Sequence, residues 1–238
     1  MSAWTAKRFW TKAHATPCDG GFTVHLDARA VKTPAKRALV LPTTAMAEAI
    51  ASEWDAQHGL VKPQTMPFTR MANSALDKVA AQFAEVAGLL AAYGNSDLLC
   101  YRASNPDRLI ARQAAAWDPL VQWSADALDA PLIVTQGVVH VDQPTSSQSK
   151  LSQLVHGFSP FQLAAVHDLV AISGSLVLAL AVTREKVSAD QAWALSRLDE
   201  TWTAEQWGRD AEAEELEALK HAAFLDAARF FVSCGSQF

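Results

Sequence analysis

The residues of this chain best suited to chemistry lie in the stretch SRLDETWTAEQWG, residues 196–208. Two neighbouring acids, Asp199 and Glu200, stand there between tryptophans. Two catalytic carboxylates, as in a glycosidase, face a substrate from opposite sides of a cleft about 5–9 Å wide. Adjacent residues of a helix point about 100° apart, because a turn takes 3.6 residues. These two acids therefore cannot form a glycosidase-type pair by themselves.

The stretch is predicted to lie on one helix, since it holds no glycine or proline before Gly208. Trp193, Glu200 and Trp207 recur every seven residues and would share one stripe of that helix. The residues expected to face the core lie on nearly the opposite side: Leu195, Leu198 and Trp202.

Two interpretations of the Trp–Glu–Trp stripe remain open. In the first, both tryptophans pack on the last helix and Glu200 pairs with a basic residue, such as Arg197 or Arg209. In the second, they anchor another protein, because buried aromatic side chains supply much of the energy of interfaces. The exposure of Glu200 distinguishes the two. The candidate partner-binding residues are Glu200, Asp199, Trp193, Trp207 and Arg197.

Four common catalytic and cofactor motifs are absent from the sequence. Without GxxxxGK[ST] or GxGxxG, we expect no bound nucleotide. The seven histidines form no HExxH motif, GxSxG does not occur, and the cysteines (Cys18, Cys100 and Cys234) are widely spaced. We therefore assign no catalytic residue, metal site or cofactor, and predict that the protein is not an enzyme. The alternative is a small-molecule hydrolase in which Glu200 acts with a histidine brought close by folding.

Charge is unevenly distributed along the 238 residues, of which half are hydrophobic. Residues 1–40 carry seven Lys or Arg against two acids, and residues 199–217 carry eight acids against one Arg. An adaptor whose two ends bind different partners is a third possibility. The formal net charge of −5 argues against nucleic acid as the main partner, because binding to phosphates needs concentrated positive charge.

No segment is predicted to enter a membrane. The most apolar stretch, residues 169–182, has 14 residues, whereas a spanning helix needs about 20. The start of the chain, MSAWTAKRFW, lacks the apolar run of a signal peptide. We therefore expect a cytoplasmic protein.

The predicted fold class is α+β, with a strand-rich domain of residues 1–65 that contains one packed helix and a larger helical domain of residues 66–238. A proline-punctuated link, residues 61–67, suggests the boundary. Strands are predicted at 21–27, 37–43 and 131–141, and a polar loop at 142–150. Helices are predicted at 44–59, 69–92, from Asp118 and Pro119 onward, at 160–183, from Ser188 with a capping box to Gln191, and at 210–233.

Nine short motifs in a fixed order run through most of the chain. They are KRFW (7–10), LDARAVKTP (26–34), LPT (41–43), EWDAQ (53–57), MPFTRMANSALD (66–77), SDLLCYR (96–102), WDPL (117–120), SRLDE (196–200) and QWG (206–208). Their order and spacing over some 200 residues resemble the family of assembly chaperones for the α subunit of the F-type ATP synthase catalytic head.

The resemblance implies a protein that binds the unassembled α subunit, shields the surface later covered by β, and hands α over during assembly of the head. It implies no hydrolysis of ATP by the chaperone itself. An acidic residue of the family's Leu-acid-Glu motif is tied to function. By matching position, that residue is Glu200, with Asp199 as its neighbour.

Two departures from the family pattern stand out. The family's hairpin has Asp-Gly-Arg where this chain has Asp27, Ala28 and Arg29, so the turn is expected to differ in type. The long amino-terminal extension of mitochondrial members is absent, which favours a bacterial setting.

Overall fold

The computed structural model describes residues 7–208 and 210–235. Arg209, one of the two basic partners considered for Glu200, lies outside the described residues. Five short strands are present in this part: β1 (Ala13–Cys18), β2 (Gly21–Leu26), β3 (Arg29–Ala30), β4 (Tyr101–Arg102) and β5 (Thr135–Gln136). The helices are α1 (Thr44–Asp55), α2 (Pro67–Ser74), α3 (Phe83–Ala92), α4 (Asp107–Leu128), α5 (Thr145–His156), α6 (Pro160–Ser173), α7 (Leu176–Thr183), α8 (Ala189–Ser196), α9 (Leu198–Trp207) and α10 (Ala211–Ser233).

These elements confirm the predicted α+β class, with a small sheet near the amino terminus followed by many helices. Contacts group the chain into two compact units, each assembled from separate segments. The first comprises the described residues of 1–83, 159–165 and 229–238, and the second those of 84–158 and 166–228. The predicted domain boundary after residue 65 stays a prediction about independently folding pieces, which limited proteolysis can test.

In the first unit, an antiparallel sheet in the order β1-β2-β3 packs against α1. Alternation along β2 buries Val24 and Leu26. Helix α1, which contacts β2, buries Met46 and Ile50 four residues apart on one face. Thr43 caps α1 by accepting a hydrogen bond from the Met46 N–H. The predicted strand 21–27 is therefore confirmed, and the predicted helix 44–59 ends earlier, at Asp55.

The strand predicted at 37–43 is wrong. Leu41 and Phe22 exchange both backbone hydrogen bonds, but the pairing does not extend into a ladder. The N–H of Val40 instead bonds locally to the carbonyl of Ala38. A local turn bond thus replaces the next bond that a strand would need.

The β2–β3 hairpin accommodates Ala28 because its backbone does not need a glycine there. Asp27 adopts the left-handed conformation with φ 53°, whereas Ala28 is not among the described residues with positive φ. Aspartate tolerates this region better than most residues, since its short side chain bonds locally. The Asp27 carboxylate accepts from the N–H groups of Thr11 and Lys12, and these bonds lower its pKa.

Two long helices expected from the sequence are each interrupted. The predicted helix 69–92 becomes α2, a π-helical turn at Ala75–Val79, and α3. Within that turn, Asp77 accepts hydrogen bonds from the Thr33 hydroxyl and the Ala35 N–H. The predicted helix 160–183 breaks at Gly174, whose φ of 74° lies in the left-handed region.

The second part of that helix restarts as α7 on a buried polar cluster. Ser175 caps α7, and the fully buried Asp97 accepts from the Ser175 hydroxyl at 2.7 Å and the Val177 N–H at 2.9 Å. Burial raises the pKa of Asp97, and these hydrogen bonds oppose that shift. The aspartate of the SDLLCYR motif thus accepts hydrogen bonds from the first residues of α7.

A helix start predicted at Asp118 and Pro119 is also wrong, because both lie inside the continuous α4. The residues that α4 buries follow helical spacing through the proline: Gln113, Trp117, Leu120, Ser124 and Leu128. Burial of this uninterrupted stripe outweighs the backbone hydrogen bond that proline cannot donate. Asp118 pairs with Arg102 at 2.9 Å instead of capping a helix.

The segment between α4 and α6 differs from prediction in two places. The strand expected at 131–141 is reduced to β5, which pairs in parallel with β4. The loop expected at 142–150 is instead largely helical, because α5 begins at Thr145 and buries Ser147 and Leu151 on one face. The polar residues at the start of α5 led to the prediction of a loop.

Candidate partner-binding site

The helix that carries the candidate residues begins as predicted and ends sooner. The Ser188 hydroxyl accepts from the Gln191 N–H, and the Gln191 side chain accepts from the Ser188 N–H, which forms the expected capping box. At Arg197 the backbone leaves the helical region, with φ −106° and ψ 17°. The stretch is therefore two helices, α8 and α9, and spacing across Arg197 does not define a common helix face.

Three of the candidate residues are brought together into a stack around this break. Trp193 is buried and lies against His221, with ring centroids 5.1 Å apart and planes 19° apart. The Arg197 guanidinium covers the Trp193 ring at 5.2 Å. Glu200 completes the stack, with its Oε1 at 3.0 Å from Arg197 Nη1.

Glu200 stands at the outer end of this stack. Its side chain is 58% exposed, whereas that of Arg197 is 17% exposed. Arg197 also donates to the carbonyl of Ile172, so its guanidinium is fixed from two sides. The two interpretations of Glu200 are thus combined in one geometry: it is paired with Arg197, and it also presents a carboxylate to solvent.

Asp199 points to a different neighbour. Its Oδ1 accepts from Gln113 Nε2 at 2.7 Å. Gln113 is buried in α4, and its own Oε1 accepts from the Ala103 N–H at 2.8 Å. Asp199 therefore links the start of α9 to α4, and the two acids of the motif have separate surroundings, as their adjacent helical positions require.

A second link between α4 and α9 involves Arg112 and Glu205, neither of which is marked by a sequence motif. Arg112 Nη2 donates to Glu205 Oε1 at 3.0 Å, and this bond raises the pKa of Arg112. The same guanidinium lies 5.9 Å from the centroid of the Trp202 ring. Because 93 residues separate the pair in sequence, local spacing gave no signal for it.

Trp207 is separate from the stack. It ends α9 and is 86% exposed, whereas Trp193 on α8 is buried. Of the residues expected to face the core, Leu198 is buried, and Leu195 and Trp202 are partly covered. The predicted Trp193–Glu200–Trp207 stripe is wrong as a single helix face, because the backbone turns at Arg197.

Another exposed apolar feature lies in the loop around β5. Val138 and Val139 are largely exposed there. The loop is held at its base by the buried Gln143, whose amide donates to the Ile133 carbonyl at 2.9 Å and accepts from the Ile133 N–H at 2.7 Å. His140 Nδ1 lies 3.0 Å from the Tyr101 hydroxyl. The valines are thus presented on a constrained loop.

In the described residues, no group of three or more His, Cys, Asp or Glu side chains is placed to hold a metal ion. Among the helices described, none is long and apolar enough to cross a membrane.

The family model described as ATP12 chaperone protein matches residues 7–125, which is half of the chain. The chain belongs to the ATP12 chaperone family. This confirms the resemblance seen in the nine motifs, to chaperones that serve assembly of the F-type ATP synthase.

Two solved structures are similar to this chain over nearly all of its length. The crystal structure of Atp12 from Paracoccus denitrificans is 48% identical, with a TM-score of 0.94, and the match covers 98% of this chain and all of that one. The Atu1473 protein from Agrobacterium tumefaciens is 39% identical, with a TM-score of 0.93, over 96% of this chain and 86% of that one.

A curated relative extends the ATP12 family likeness to a mitochondrial protein. The mitochondrial protein atp12 of Schizosaccharomyces pombe is 21% identical over 225 residues, which are 89% of this chain and 77% of the relative. The protein is accordingly a chaperone of ATP synthase assembly, and the hydrolase alternative receives no support from these relatives.

Proposed function

We propose that this ATP12-family chaperone binds the unassembled α subunit of the F-type ATP synthase. It shields the α surface later covered by the β subunit and hands α over during assembly of the catalytic head. An α subunit without its neighbours exposes apolar and charged surface, which promotes aggregation. A chaperone that covers this surface must also release it when β arrives.

The observation that carries the proposal is the position of Glu200 at the outer end of the Trp193–Arg197 stack. Its carboxylate is exposed, while the groups behind it are held by aromatic stacking and by hydrogen bonds. A charge fixed in this way loses little conformational entropy on binding, which favours a role in recognition. Glu200 engages a basic residue of α, and the exposed Trp207 supplies an apolar contact.

The other candidate residues support this contact from behind. Trp193 and Arg197 orient Glu200, and Asp199 fixes the beginning of α9 through Gln113. The mechanism requires only binding and release. It therefore uses no catalytic residue, nucleotide, metal ion or other cofactor, and it operates in the bacterial cytoplasm without nucleic acid or membrane insertion.

Co-expression with the α subunit of the same organism tests the proposal. We expect the wild-type chaperone to keep α soluble and to co-elute with it on a sizing column. Glu200→Lys reverses the exposed charge and should weaken the complex at least about tenfold, because loss of a hot-spot residue of an interface costs about 2 kcal/mol or more. Glu48→Lys is the matched control, since Glu48 is an exposed acid on α1.

Three results separate the possibilities. Loss of co-elution with Glu200→Lys but not with Glu48→Lys, in variants with unchanged circular dichroism, supports both the partner and the site. Unchanged binding by a folded Glu200→Lys protein refutes the site. If α is soluble alone and never co-elutes with wild type, the α-subunit partner itself is wrong.

A further inference from the structure

The amino-terminal half of α10 presents an apolar stripe to solvent. Every residue from 210 to 220 is exposed. Two leucines lie in this segment, Leu216 with 53% and Leu219 with 70% of its surface exposed. They are three residues apart and therefore neighbours on one side of the helix.

The exposed leucines continue a line that is buried further along the same helix. Eleven residues make about three turns, so residues with that separation point in nearly the same direction. Leu216 is aligned with Ala227 in this way, and Leu219 with Phe230. Ala227 and Phe230 are fully buried. One side of α10 is therefore built as a packing face along its length, and its first turns are left uncovered.

The charges beside the leucines indicate what can cover them. Residues 210–220 hold five acids against the single Lys220. A second copy of the same segment would bring acids against acids, which opposes self-association. A partner segment with an apolar stripe flanked by Lys or Arg would bury the leucines and neutralise the glutamates, as in helix pairs with charged flanking positions.

We propose that the first half of α10 is a docking surface for a basic amphipathic segment of the client protein. Leu216 and Leu219 pack against the apolar stripe of that segment, and the acids around them pair with its basic flanks. The identity of the client as the α subunit rests on the proposed function. The docking surface adds a second contact, separate in sequence from Glu200, which explains why the helix keeps exposed leucines in a strongly acidic segment.

Replacement of both leucines tests the docking surface. Leu216→Gln with Leu219→Gln removes the apolar stripe but keeps helix propensity, because Gln and Leu are similar helix formers. The matched control is Val232→Gln, which changes a residue with 73% exposure on the same helix, close to the opposite side from Leu219. When purified α is titrated with each chaperone variant, we expect the double variant to bind at least about tenfold more weakly and the control to bind like wild type.

A photo-crosslinking residue at position 219 identifies the occupant directly. The expected product joins position 219 to a segment of α that contains Lys or Arg beside apolar residues. If wild type binds α and the double variant binds equally well, the docking surface is refuted while the proposed function stands. If wild type does not bind α, the proposed function and the client fail together. A crosslink from position 219 to a second copy of the chaperone, lost when Leu216→Gln is added to the same protein, would show self-association and overturn the proposal.

Discussion

At the scale of single residues, the two neighbouring acids of the opening motif have different tasks. Asp199 accepts a hydrogen bond from the buried Gln113, whereas Glu200 forms an ion pair at the surface. Exposed ion pairs contribute about 0–1 kcal/mol, because water screens them and two long side chains must be ordered. Leaving a buried amide donor without its acceptor lowers the stability of the protein by more than the loss of an exposed ion pair does. Substitution of Asp199 should therefore mainly lower the stability of the protein, whereas substitution of Glu200 should mainly weaken binding.

We expect Asp199→Ala to lower the free energy of unfolding by about 1–3 kcal/mol, because the Gln113 amide is left without its acceptor. Glu200→Ala should lower it by no more than about 1 kcal/mol. Urea unfolding followed by tryptophan fluorescence measures both. Equal destabilisation by the two variants would contradict the separate roles given to these acids.

At the scale of elements, short ties between distant segments fix the ends of strands and helices. The β2–β3 hairpin is held to the two residues before β1 by the Asp27 carboxylate, which accepts from the N–H groups of Lys12 and Thr11. These two bonds lower the pKa of Asp27 below its ordinary value of 3.8. A carboxyl group with a lowered folded-state pKa stabilises the protein above the unfolded-state pKa, and this stabilisation is lost as the pH falls through the folded-state value.

The Asp27→Asn variant should therefore be less stable than wild type at about pH 7, and the difference should shrink as the pH falls below about 3.8. Asparagine is the appropriate replacement because it also tolerates the left-handed backbone of position 27. Urea midpoints of both proteins over this pH range measure the effect. A stability difference that does not change with pH would show that the carboxylate charge is not what holds the hairpin.

At the scale of the whole molecule, the sequence separates a basic beginning from an acidic segment near the end. An adaptor that worked through these charges alone would form complexes that depend strongly on salt. The proposed contacts combine charge with exposed apolar side chains, namely Trp207, Leu216 and Leu219. Apolar burial is not screened by ions, so the two mechanisms differ in their response to salt.

Raising the salt concentration from about 0.1 M to about 1 M shortens the screening length from about 10 Å to about 3 Å. We expect the complex with α to weaken by less than about tenfold over this range, since its apolar contacts persist. Affinity measured in solution at a series of NaCl concentrations provides the test. Complete loss of the complex at the highest concentration would favour the adaptor mechanism over the proposed one.

Several features of this protein could be determined from its sequence. The nine ordered motifs identified the family, because their order and spacing along the chain resemble the family's. The β2 strand, the start of α1 and the capping box at Ser188 also follow from neighbouring residues. In each of these elements the side chains that define the structure lie within a few positions of one another.

Only the tertiary structure decided where the long helices break and what the motif residues contact. Gly174 interrupts one predicted helix, and the next helix begins on the buried Asp97. Pro119 does not interrupt α4, because a continuous face of that helix is buried. Arg197 divides the predicted Trp–Glu–Trp stripe, so Trp193 is buried while Trp207 is exposed. These outcomes depend on partners far away in the chain, and helical periodicity carries no information about such partners.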